Sequence, residues 1–126
     1  MILNEIFENE LLLPVCIALK GENALKTSEV IKKLEKDMNP IGNDGLSYVM
    51  RRDSIFSQKI RNVISHKNPN FYSKIDFGRD KKTGETTWYL NNKGYLYLEN
   101  NGINEKFFLN LTNYEERIQF LKNLNK

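Results

Sequence analysis

Between Ser54 and Lys67 the side chains sort onto two faces, in the run SIFSQKIRNVISHK. At 100° per residue, Phe56, Ile60, Val63 and Ile64 fall within an arc of about 100°. Ser54, Ser57, Gln58, Arg61, Asn62 and Ser65 fill an arc of about 140° on the other side. This pattern demands a helix with one side on a small core, and Asp53 or Ser54 is its expected N-cap. The outward set holds one arginine and no acid. Gln, Asn and Arg can make paired contacts to base edges, and Ser suits both bases and phosphates. The solvated face of any amphipathic helix has a similar composition, so the rest of the chain must decide between the two readings.

Local signals divide the remainder. A helix is expected from about Ile2 to Leu19, with Pro14 either kinking it or marking its true start. After the loop Lys20–Asn23, Thr27 or Ser28 should cap the helix SEVIKKLEKDM, which repeats Val30, Ile31, Leu34 and Met38 at helical spacing. Residues 39–45 (NPIGNDG) are turn-forming, and Leu46–Asp53 leads into the Ser54 helix. Asn68-Pro69-Asn70 should end that helix. Phe71–Phe77 and Thr86–Leu90 are aromatic and β-branched and predict two strands joined by a basic loop. Asn91–Gly94 turns into a helix at Tyr95–Asn100. A strand is expected at Lys106–Leu111, then a helix at Tyr114–Leu124 capped by Thr112 or Asn113. Tyr114, Ile118 and Leu121 on its inner face could pair with a second copy in a homodimer or pack on the chain's own first helix.

The order of three helices and a basic hairpin predicts an α+β, mainly α fold. It is that of a winged helix-turn-helix with a two-stranded wing and an added C-terminal helix. The 126 residues suit a single domain, with its core at about 10–99 and an extension at 100–126. Cys16, the lone cysteine, lies in the apolar run LLLPVCIAL and is expected to be buried; no intrachain disulfide can form. That run is too short to span a bilayer. Glu5, Glu8 and Glu10 before it oppose the basic start of a signal peptide, so a cytoplasmic protein is expected.

Charge is distributed unevenly. Residues 1–50 carry five lysines and eight acids, a net of −3; residues 51–93 carry ten cations and four acids, a net of +6; the remainder balances. Positive charge thus gathers around the Ser54 helix and the hairpin, as on a surface that neutralises phosphates. Double-stranded DNA is the expected partner. Ser57, Gln58, Arg61, Asn62 and Ser65 are the candidates for base contact. Arg51, Arg52, Lys59, Lys67, Arg79, Lys81 and Lys82 are the candidates for phosphate contact.

The sequence LLLPVCIAL, the capped TSEVIKKL, RRDSIFSQKIRNVISHK and WYLNNKGYLYLE together resemble winged-helix domains of restriction-system proteins, the Mrr-like and other modification-related endonucleases. The resemblance covers about residues 10–99. Asn91-x-x-Gly94 resembles the Leu-Thr-x-x-Gly element that closes many wings, with Asn in place of Thr. The resemblance implies a DNA-reading module whose cutting is done by a separate nuclease domain. With too few residues after 100 for such a domain, the chain is expected to be a stand-alone binder or a specificity module.

Enzymatic readings lack their residues. One histidine excludes HNH and HExxH sites within the chain, and no Glu-x-Lys is present. Asp80-Lys81-Lys82 has an Asp-x-Lys spacing but reads as a polar loop tip. No catalytic residue, metal ligand or cofactor is expected. His66 ends the recognition helix, where it could bond a helix-end carbonyl or a phosphate. Phe71, Phe77 and Trp88 should cover the core side of the hairpin, leaving Tyr72 and Tyr89 outside. A protein partner, such as a nucleic-acid enzyme blocked by a phage or host factor, is the alternative to DNA.

Overall fold

The computed structural model describes residues 5–41, 44 and 54–125. The expectations for residues 2–4, for Leu46–Asp53 and for Arg51 and Arg52 fall outside them. The fold is α+β and mainly helical, with a small three-stranded antiparallel sheet.

Pro14 sets where the first helix begins. Glu8–Leu11 is a single 3-10 turn, and α1 runs from Leu12 to Leu19. The proline therefore lies in the first turn, where its missing N–H costs nothing. Leu13, Pro14, Val15, Cys16, Ala18 and Leu19 are all buried, so α1 is enclosed on most sides. Burial pushes the Cys16 thiol up to about 12, partly offset by the charge of Lys74, which leaves it unreactive at neutral pH.

Strand β1 (Leu25–Lys26) leads directly into α2 (Thr27–Met38). Val30, Ile31, Leu34 and Met38 are buried, as the spacing requires. The cap differs from expectation. Neither Thr27 nor Ser28 caps the helix; the Lys26 N–H donates to the Glu29 carboxylate at 2.9 Å and the Ser28 N–H to Glu85 at 3.1 Å. Thr27 is committed to the sheet instead. Its hydroxyl accepts from the Trp88 indole N–H (2.9 Å) and donates to the Thr86 carbonyl (3.2 Å).

Helix α3 spans Ile55–Ser65, and the Ser54 side chain caps it by accepting from the Ser57 N–H at 3.0 Å. Asn68-Pro69-Asn70 does more than stop this helix. Asn68 accepts from the Asn70 N–H and Pro69 takes the first helical position, so Pro69–Tyr72 forms one more turn, α4. The strand expected from Phe71 consequently begins only at Ile75: β2 is Ile75–Arg79 and β3 is Thr86–Leu90. The strand order is β1-β3-β2. Leu25, Trp88 and Phe77 share one row facing the core, and Lys26, Thr87 and Gly78 share the next row on the opposite face.

Helix α5 (Asn92–Asn100) starts at Asn91, whose side chain accepts from the Gly94 N–H at 3.0 Å. A Cβ on Gly94 would stand 2.5 Å from the Lys74 carbonyl and 2.3 Å from Leu90, so only glycine lets α5 approach the hairpin this closely. The strand expected at Lys106–Leu111 is instead helical, within α6 (Gly102–Leu109). Its adjacent phenylalanines mimic a strand, yet each has a helical use. Phe108 enters the core, while Phe107 stacks on Phe120 with ring centroids 5.2 Å apart.

Helix α7 (Tyr114–Leu124) is capped by Asn113. Tyr114, Ile118 and Leu121 are buried within the chain's own core, the second of the two packings open to them. Tyr114 meets the Phe56 ring edge-on at 6.2 Å, and Lys122 pairs with Glu10 at 2.9 Å. The buried residues from Ile6 to Leu121 form one cluster, so the last helices complete the core.

Replacing Thr27 by Val would strand the buried Trp88 N–H and is expected to cost about 1–3 kcal/mol in urea unfolding. Thr27→Ser, which keeps the hydroxyl, should lose clearly less; equal losses would refute the hydrogen-bond account.

Candidate nucleic-acid interface

The polar side of α3 is less open than its helical angles suggest. Ser57 is buried, and its hydroxyl donates back to the Ser54 carbonyl at 2.8 Å. It lies 20° from Ile64 on a helical projection, at the edge of the apolar arc. The base-contact assignment of Ser57 is therefore corrected to a buried first-turn role. Gln58, Arg61 and Asn62 are half-buried, and Ser65 is exposed. The Gln58 amide donates to the Asn62 side chain at 3.0 Å, so these two groups present a joined polar surface.

Lys59 is likewise corrected as a phosphate contact. Its ammonium pairs with the fully buried Asp44 carboxylate, donates to the Ile6 carbonyl at 2.7 Å and lies 3.8 Å from Glu5. Asp44 also accepts from the Ile6 N–H (3.0 Å) and from the Tyr114 hydroxyl (2.7 Å). Burial, and then the bond to Asp44, raise the Tyr114 hydroxyl far above its ordinary value of 10.0, so it remains a donor. Lys59 thus ties α3 to the N-terminal segment and to α7. His66 meets neither a helix-end carbonyl nor an open surface alone: its Nδ1 lies 2.7 Å from Glu8. Glu8 also accepts from Asn68 at 2.6 Å. Lys67 ends α3 in the left-handed conformation, with φ 46°, and its side chain is exposed.

The cations of the hairpin tip are open to solvent, and the geometry of the turn explains why. Arg79, Lys81 and Lys82 are exposed. Asp80, between them, is turned into the loop, where its carboxylate accepts from both the Thr83 N–H and the Thr83 hydroxyl at 2.8 Å. The Gly84 N–H donates to the Asp80 carbonyl, and Gly84 takes φ 77°, which closes the turn. The Asp-x-Lys spacing is thereby accounted for as turn chemistry. Phe77 and Trp88 face the core with Phe71 also buried, while Tyr72 and Tyr89 are exposed, as the pattern required. Tyr72 lies over Phe77, with ring centroids 4.4 Å apart.

Among the described residues no cluster of three or more His, Cys, Asp or Glu side chains could hold a metal ion, and no helix is long and apolar enough to cross a membrane. Comparison of the chain with protein families, curated proteins and solved structures yields no match.

Removing Lys59 as Lys59→Met leaves the buried Asp44 charge without its cation, and should cost about 3 kcal/mol in denaturant unfolding. A loss near zero would show that Lys59 is not holding Asp44. The Thr83 hydroxyl, then its N–H, and the Lys26 charge hold the Asp80 carboxyl below its ordinary 3.8. Its contribution to the turn is therefore present above that value and lost as pH falls through the lowered one. In an NMR titration the Thr83 amide is expected to shift with a midpoint below 3.8; a midpoint above 3.8 would contradict the bonding.

Proposed function

We propose that the chain is a winged-helix protein that binds double-stranded DNA and carries out no catalysis itself. The order α1, β1, α2, α3, β2, β3, with β3 between β1 and β2, matches that of a winged helix. In that arrangement α3 would enter the major groove and the β2–β3 hairpin would lie along the backbone. The wing tip is the observation that carries this reading. Three exposed cations, Arg79, Lys81 and Lys82, surround a turn whose Asp80 carboxylate is occupied by Thr83 and whose Glu85 carboxylate accepts from the Ser28 N–H.

Gln58, Arg61, Asn62 and Ser65 remain the proposed base contacts, and Lys67, Arg79, Lys81 and Lys82 the proposed phosphate contacts, with Arg51 and Arg52 added from the sequence. Such a module fits the specificity part of a restriction system. A protein-interaction winged helix is the second reading. It is favoured by one feature, the apolar ridge of α6, where Ile103 is 86% and Phe107 57% exposed.

Fluorescence anisotropy with duplex DNA over about 50–300 mM salt tests the proposal. Affinity should fall steeply with salt. Arg61→Ala should cost roughly 1–3 kcal/mol and reduce discrimination between sequences, whereas Lys81→Ala should weaken all duplexes alike and lower the salt slope by about one. Absence of duplex binding at the lowest salt would overturn the reading in favour of a protein partner.

A further inference from the structure

The wing cations do not stand alone. A shallow, open depression of about 690 Å³ lies between the start of β1 and the hairpin tip, and Lys26 lines it together with Arg79, Lys81 and Lys82. Among the described residues, none of these four cations has a carboxylate partner within ion-pair distance. Lys26 is near enough to Asp80 for its charge to lower that carboxyl. The sequence concealed this grouping, because Lys26 is more than fifty residues from the hairpin tip and sits in the net-acidic first part of the chain. Pairing of β1 with β3 brings it there: Lys26 stands opposite Thr87, which in turn stands opposite Gly78.

We infer that this depression is a seat for a run of sugar-phosphate backbone, so that the strand lies across the β1 side of the wing and Lys26 is a phosphate contact. The inference rests on the DNA-binding reading and specifies how the wing would be used. Two features favour an extended polyanion over a single phosphate ion. First, four of the loop's backbone donors are already used: the N–H groups of Asp80, Thr83, Gly84 and Glu85 all donate within the turn. Few main-chain N–H groups are therefore left for a compact anion nest, and the side-chain cations carry the positive charge. Second, the cations come from β1, β2 and the tip, and the surface between them is open. Gly78 keeps the central row low beside Thr87, whose hydroxyl would stand 2.9 Å from any Cβ at that position. A strand glycine of this kind permits close approach by another backbone. Four cations around the single Asp80 carboxylate leave a net positive charge that a polyanion would neutralise.

The test compares Lys26→Gln with Lys106→Gln in the full chain, by anisotropy with a random-sequence duplex across the same salt series. Both variants remove one charge, but Lys106 is on α6, outside the sheet. Lys26→Gln should lower the salt slope by about 0.9, which at about 0.1 M salt is roughly an eightfold loss of affinity. Lys106→Gln should leave the slope unchanged, and thermal melting should show both variants folded. If the wild type binds and Lys26→Gln keeps its slope, or both variants lose it equally, the seat is refuted while duplex binding stands. Inorganic phosphate competing beyond its ionic strength would replace the backbone assignment by a single-ion site. No salt-dependent binding by the wild type would overturn both this inference and the DNA-binding reading.

Discussion

Trp88 joins the helical and sheet layers of this protein. Its side chain is fully buried, its indole N–H is held by Thr27 at the start of α2, and its row in the sheet is completed by Leu25 and Phe77. Burial of a side chain this large is the bigger contribution, since truncating a buried Trp costs about 3–5 kcal/mol. The hydrogen bond contributes less but is directional, and it ties the start of α2 to β3. The two-residue β1 follows from that placement, because Leu25 and Lys26 are drawn alongside Trp88 and Thr87 as the chain enters α2. Glu85, just before β3, then reaches the Ser28 N–H and closes the junction.

A second junction ties the chain's distant parts together through charge. Asp44 collects Lys59 from α3, Tyr114 from α7 and the Ile6 N–H from the N-terminal segment, all in a buried setting. The positive charge of the middle of the chain thus divides into two populations. Lys59 is paired with Asp44, while Arg79, Lys81, Lys82 and Lys26 line an open depression. Solvent-accessible charges without a carboxylate partner, as in the second population, add little to stability. Their consequence is a local positive field at the wing, which suits a polyanionic partner.

Much of this was legible in short stretches. Ser54 and Asn113 cap helices because their side chains reach N–H groups three residues ahead, an interaction that needs no distant partner. Thr86–Leu90 formed a strand over its whole expected length. Local signals were ambiguous where two structures satisfy one pattern. Phe107 and Phe108 resemble a strand, and only the stacking of Phe107 on Phe120 and the entry of Phe108 into the core explain the helix. Asn68-Pro69 signals a helix stop, and the same residues make a good N-terminus for a helical turn.

By itself, the sequence determined which segments are helical or extended over most of the chain, where the amphipathic helix α3 lies, and that the hairpin tip is basic. These depend on residue spacing, caps and turn chemistry, all of which act within a few residues. The tertiary structure alone decided which polar groups remain available. Helical periodicity gives the angle of Ser57 and Lys59 around α3 but not how far the neighbouring segments wrap over them, so one proved buried and the other paired with Asp44. Strand pairing, a long-range event, brought Lys26 to the wing. Burial and charge pairing are properties of surfaces that meet, and no stretch of sequence contains both surfaces.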